Sequence, residues 1–282
     1  MKQIVIVLGF ALLATPVLAQ TAPTLEEAWQ TAPEMPGMTE QTHAEMMAAL
    51  GSPRMPIQTI GILVYDGVNE LDLMGPRYVL GQFMGAQTLL VAVEPGTVTT
   101  VMGVEIVPDT LMAEVDALDI LVVPGGFTGT IEATYDERVH DWIRRIDQTT
   151  QATAAVCTGT WILGATGLLD GRRATTNWYR AEEMMTKYGA TFSDERFTQD
   201  GKYWTSAGVT AGMDMSLALL ADLWSTSYAQ GVMLDMEYDP APPFPGGSPE
   251  TTPPGVLAMM QAMYDAGVLP LMEQFEAGQT ND

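Results

Sequence analysis

The stretch TAAVCTGTWILGATGL, residues 153–168, decides how the rest of the chain reads. Small and apolar residues run from Thr153 to Val156, the chain turns at Cys157-Thr158, and small residues then interleave with Trp161, Ile162 and Leu163 as far as Leu168. That order predicts a short buried strand joined directly to a helix. Ala154, Ala155, Gly159 and Ala165 let the two approach closely, and a side chain at such a turn is held up at the carboxyl edge of a sheet. Cys157 occupies the turn and is the one cysteine of the chain.

The same grammar extends in both directions. Thr59 to Tyr65 (TIGILVY) is a nearly continuous apolar run, the mark of a central parallel strand covered on both faces. A loop carrying Asp72 follows, and a helix is predicted over Tyr78 to Phe83. Further strands are expected at Thr88 to Val93 and at Leu118 to Val123, with a small hairpin between Gly96 and Pro108. Asp136 to Ile146 reads as a helix, with Val139, Trp142, Ile143 and Ile146 at helical spacing. Beyond the cysteine come a strand at Arg173 to Thr176, a helix at Tyr179 to Tyr188, a strand at Tyr203 to Thr205 and one long apolar helix at Met213 to Met233. A Pro/Gly loop at 239–254 precedes a final helix at Gly255 to Ala266. The alternation predicts an α/β domain over residues 58–282, a mostly parallel sheet flanked by helices on both faces.

Residues 1–19 have the order of a secretory signal peptide: Lys2, an apolar run from Ile4 to about Ala14, and small residues before a cut after Ala19. The expected location is therefore periplasmic or secreted. Residues 20–57 form an N-terminal extension with a short helix in Glu40 to Leu50. Its methionines and His43 suggest soft-metal ligands, but their spacing has no regularity, and no metal site is expected. No later segment reads as a membrane span. Acidic residues outnumber basic ones 35 to 12, for a formal charge of -23, so the surface repels nucleic acid and anionic lipid and leaves a small molecule as the expected partner.

A lone thiol in an exported chain is a liability unless it is buried or used. Burial alone explains many such cysteines. The strand-to-helix turn favours use, because the first helical N–H groups point at what the side chain attacks and favour a thiolate of lowered pKa. With only His43 and His140 in the sequence, and His140 inside a helical stretch, a Cys-His pair is disfavoured. Asp72, in a loop of apolar neighbours just after the first strand, becomes the expected acid/base, a partly desolvated carboxyl that keeps its proton more readily than a surface acid. Its alternative role is to cap the following helix, and Glu70 is the alternative acid. Pro124-Gly125-Gly126 ends a third strand, where the N–H groups of Gly126 and Thr158 form an expected oxyanion cradle. Three strand ends would thus converge on one crevice.

The segments LDLMGP (71–76), VPGGFTG (123–129), AAVCTGTWILGATGLLDGRRATTNW (154–178), TSAGVTAGMDMSLAL (205–219) and LDMEYDPAPPFPGGSPET (234–251) resemble the ThiJ/PfpI superfamily, and within it the isocyanide hydratases. The resemblance implies a flavodoxin-like sandwich of the class I glutamine amidotransferase-like type, with Cys157 as nucleophile, Asp72 as its paired acid and Thr158 as neighbouring hydroxyl and backbone donor. It implies hydration of an isocyanide to an N-substituted formamide without a cofactor, and a homodimer. Two departures stand out: Asn177 replaces the histidine of the RATTHW pattern, and Thr158 replaces the histidine that follows the cysteine in protease-like members. Two other readings share the scaffold, a glyoxalase-like enzyme acting on reactive carbonyls and a redox-responsive protein in which Cys157 oxidises and nothing is turned over.

Overall fold

The computed structural model describes residues 39–279; the expected signal peptide at 1–19 and residues 20–38 lie outside the described residues. A seven-stranded sheet forms the centre. Its strands are β1 (Thr59–Val64), β2 (Gln87–Ala92), β5 (Thr110–Leu111), β6 (Ile120–Val123), β7 (Ala152–Val156), β10 (Phe197–Asp200) and β11 (Tyr203–Ser206), in the order β10-β11-β7-β6-β1-β2-β5. Two short pairs lie apart, β3 (Val98–Thr99) with β4 (Glu105–Ile106), and β8 (Arg173–Ala174) with β9 (Thr191–Phe192). Every neighbouring pair in the main sheet is parallel except β10 with β11. The register sets Ile62 beside Val122 and Val122 beside Ala154, so the carboxyl ends of β1, β6 and β7 finish together.

The apolar runs explain this centre. Ile60, Ile62, Leu63 and Val64, and all of Ile120 to Val123, are wholly inaccessible. Each contributes about 1.5–3 kcal/mol through burial. One group of packed helices contains α2 (Glu70–Leu80), α7 (Ala211–Leu223) and α8 (Thr226–Asp235). The other contains α3 (Thr128–Tyr135), α4 (Glu137–Asp147), α5 (Gly159–Ala165), α6 (Ala181–Lys187) and the terminal α9 (Pro254–Gln279). The N-terminal α1 (Glu40–Leu50) matches its sequence expectation and sits against α8, tied by Ser225 Oγ donating to the Leu50 carbonyl at 2.6 Å.

Several boundaries differ from the sequence reading, each for a local reason. The helix expected over Tyr78 to Phe83 begins eight residues earlier, at Glu70. Asn69 caps it by accepting from the N–H groups of Leu71 and Asp72, and Pro76 inside it removes only the bond to the carbonyl of Asp72. The single helix expected from Met213 to Met233 is two, because Ser225 caps a new start by accepting from Tyr228 N–H at 3.0 Å. A helix at Thr128–Tyr135 precedes α4, with Asp136 capping the latter. The final helix runs to Gln279 rather than Ala266. By length and composition alone, Pro254–Gly278 is long and apolar enough to cross a membrane. In the fold it is tied to the domain through Tyr179 on Asp265, Lys187 on Glu276 and the stacking of Phe275 on Tyr135.

Candidate active site

Cys157 stands between β7 and α5 with φ of +60°, a left-handed conformation that costs an L-residue about 1–2 kcal/mol. Three bonds hold it there: its N–H donates to the Ser206 carbonyl at 3.0 Å, and its carbonyl accepts from Thr176 Oγ1 at 2.8 Å and from Thr160 N–H at 3.3 Å. Beneath the turn, a Cβ on Gly159 would meet the Val123 carbonyl oxygen at 2.1 Å, so only glycine admits this approach of helix to strand. The elbow expected from TAAVCTGTW is present, and the side chain is 5% exposed.

Asp72 lies in the first turn of α2 and is wholly buried. It does not cap the helix, since Asn69 does. Burial raises its carboxyl to about 7, while the Cys157 thiol and the Gly125 N–H draw it down. Neither carboxyl oxygen has a partner of good hydrogen-bond geometry. Glu70 is committed elsewhere: it accepts from the Thr100 hydroxyl and from Met102 N–H at 2.8 Å. Although partly desolvated, it is held below its ordinary value by those donors.

The sulfur is faced by Asn177 Nδ2 at 3.3 Å and by the N–H groups of Thr158 and Val209. Val209 has φ of +28°, a second non-glycine residue in an unusual backbone conformation at this site. The lowered thiol pKa expected from the helix start is not found. Burial and the Asp72 carboxylate push Cys157 up, and the three donors only partly oppose them. Helix α5 spans only seven residues, a short dipole against full burial.

Gly126 differs from its expected role. Its N–H donates to Thr158 Oγ1 at 3.0 Å, and the same hydroxyl donates back to the Gly126 carbonyl at 3.0 Å, so the turn and the elbow are locked together. The Gly125 N–H faces Asp72 instead. His140 is buried, with Nε2 2.9 Å from the Thr134 carbonyl, and takes no part.

Sequence reasoning missed residues brought in from afar. Tyr264 of α9 packs on Phe127, Trp178 and Tyr179, with ring centroids 4.9–5.3 Å apart. Burial, with Cys157 and Asp72, raises its hydroxyl to about 12. Next to the site a cavity of about 930 Å³ opens, walled by Asn177, Trp178, Phe192, Gly208, Val209 and Tyr264. The Pro/Gly loop at 239–254 contributes Gly247 to Glu250 to the wall. Chemically, a thiol and a carboxyl of matched burial, with backbone donors around the sulfur, can exchange one proton while the sulfur adds to a small electrophile.

The DJ-1/PfpI family profile matches residues 58–222. Isonitrile hydratase of Pseudomonas putida is 39% identical over 198 residues, covering 70% of this chain and 86% of that protein. The HTH-type transcriptional regulator CdhR of Pseudomonas aeruginosa is 31% identical over 133 residues, covering 47% of this chain and 39% of the regulator. Among solved structures, a ThiJ/PfpI family protein from Pseudomonas syringae superposes with a TM-score of 0.77 at 32% identity, covering 87% of this chain and 99% of its own. The mostly parallel sheet, the elbow and the matched segment agree: this chain belongs to the DJ-1/PfpI family.

Proposed function

We propose that this protein hydrates an isocyanide to an N-substituted formamide, with Cys157 as nucleophile and Asp72 as the group that moves its proton. The observation that carries the reading is the buried pair itself, Cys157 at the strand-to-helix elbow and Asp72 in the first turn of α2, electrostatically coupled beside a cavity walled by Asn177 and Val209. Similarity to isonitrile hydratase over most of both chains supports the substrate class.

As the sulfur adds to the terminal carbon of R-NC, the Asp72 carboxylate takes the thiol proton. It then returns that proton to the same carbon, leaving a thioimidate R-N=CH-S bound to Cys157. Water adds to the thioimidate carbon, its proton passes to nitrogen, and the carbon–sulfur bond breaks as the sulfur recovers a proton. The sum is one isocyanide and one water to one formamide, with no cofactor. Thr158 and Val209 N–H steady the sulfur as it leaves, and the Gly125 N–H steadies the Asp72 carboxylate. Thr158 Oγ1 and Gly126 act by holding the elbow to the glycine turn.

A redox-responsive role asks for an exposed thiolate of low pKa. Cys157 is 5% exposed, so bulk oxidants reach it poorly, which favours turnover of a small molecule over oxidation. In this reading the mature protein works in the periplasm or outside the cell, on a small molecule, as a homodimer. The deciding experiment measures formamide production from a panel of small isocyanides, for the wild type beside Cys157→Ala. Turnover lost in the variant supports the reading, whereas no turnover by the wild type on any member would sink it.

A further inference from the structure

The residue that departs from the family pattern beside the cysteine is built into the site with unusual completeness. Asn177 is 3% exposed, and its Nδ2 points at Cys157 Sγ across 3.3 Å. The orientation of its amide is decided by its other end, where Oδ1 accepts from the N–H of Tyr179 at 2.9 Å. A flipped amide would set an N–H against an N–H and turn a carbonyl oxygen toward the sulfur, so the nitrogen belongs where it is. Gly208 runs beside that nitrogen, where an added Cβ would come within 3.3 Å of it, so the bare backbone leaves the amide its place at the cavity wall. Asn177 and Tyr264 wall the same cavity, which sets Asn177 beside a helix beyond the segment that the family profile matches.

We propose that Asn177 is a positioning residue for the nucleophile: its carboxamide holds the Cys157 sulfur in place and donates to the thiolate as it forms, doing without a proton of its own to lose. An amide does not titrate, so this support is constant with pH, unlike that of an imidazole. The titratable groups electrostatically coupled to the sulfur are then Asp72 from α2, Tyr65 following β1 and Tyr264 from α9. None of them is cationic, which leaves Asn177 and the Thr158 and Val209 N–H groups as the donors to the sulfur. A hydrogen bond to an ionised sulfur is worth more than one to a thiol, so its removal shows when the sulfur ionises.

The test reads the thiol directly and needs no isocyanide, so it stands whether or not the hydratase reading holds. Alkylation of Cys157 by iodoacetamide is followed from about pH 7 to 10 in the wild type, Asn177→Leu, Asn177→Ala and Asn177→His, with circular dichroism as a check on folding. Loss of the donor makes alkylation about tenfold slower at a given pH in the Leu and Ala variants. The His variant, which restores a ring N–H, recovers most of the rate. Profiles of folded Leu and Ala variants that superimpose on the wild type would overturn the proposal. So would a His variant as slow as the Leu variant, since packing rather than donation would then explain the loss. The Ala variant keeps the test available if Leu prevents folding.

Discussion

Asp72 and Cys157 act on each other in opposite senses: the carboxylate raises the thiol, while the thiol beside it draws the carboxyl down from where burial alone would put it. The proton therefore rests on sulfur when Asp72 is ionised, and the pair holds one transferable proton near neutral pH. The elbow on β7 and the first turn of α2, 85 positions apart in sequence, meet to make this couple.

The rate should follow the ionisation of Asp72. Below about 7 its carboxyl is protonated and has no room for the thiol proton, so kcat/KM falls as pH drops through that value. Asp72→Asn should lower kcat/KM by about 10²-fold or more and remove that limb of the profile. A pH series of initial rates for both proteins decides it; a limb that survives in the variant assigns the titration elsewhere.

Stability carries the same signature with a definite sign. The folded pKa of Asp72, about 7, lies above the ordinary 3.8. Between those values the folded state holds a proton that the unfolded state has lost, so stability falls as pH rises through the window. Asp72→Asn is spared that cost and should be more stable than the wild type at about pH 8, by on the order of 4 kcal/mol, with the advantage disappearing near pH 4. Urea unfolding at the two pH values measures the difference, and an advantage that grows toward acid would contradict it.

The elbow depends on the absence of a side chain at residue 159. An added methyl on Gly159 would lie 2.1 Å from the Val123 carbonyl oxygen and 2.7 Å from the Pro124 carbonyl carbon, neither of which can yield. Gly159→Ala should destabilise the protein by about 1–3 kcal/mol and slow turnover by displacing the sulfur. A lower urea midpoint together with reduced kcat is expected; unchanged values would mean that strand and helix separate freely.

Helix α9 presents Val256, Met259 and Met263 at helical spacing, 46%, 63% and 49% exposed. Such a stripe suits a second copy of the chain. In the proposed homodimer, Met259→Asp with Met263→Asp should give a monomer, read by light scattering on the purified protein. A wild type that is already monomeric removes the homodimer.

Much of the architecture was legible because parallel strands advertise themselves locally. TIGILVY and the apolar residues from Leu118 to Val123 are buried on both faces and lack the alternation of a half-exposed strand. Cys157 was legible as an elbow because small residues must flank a tight strand-to-helix turn, and Asp72 because a carboxyl among apolar neighbours is conspicuous. Helix limits were less so: Asn69 and Ser225 are caps whose effect depends on whether the next turn packs, and α7 and α8 join in one apolar run that hides the break.

The sequence by itself determined the sheet's central strands and the place of the lone thiol, since each rests on neighbours within a few residues, and it offered Asp72 as the acid with Glu70 as its alternative. Only the tertiary structure decided what surrounds the thiol. It brought Asn177, the strained Val209 and Tyr264 together from three separate segments, turned the Gly126 N–H to Thr158 and left Gly125 to face Asp72. It also reversed the expected ionisation of Cys157. A helix start alone favours a thiolate, but burial beside a carboxylate opposes it more strongly, and burial is a property of the whole fold.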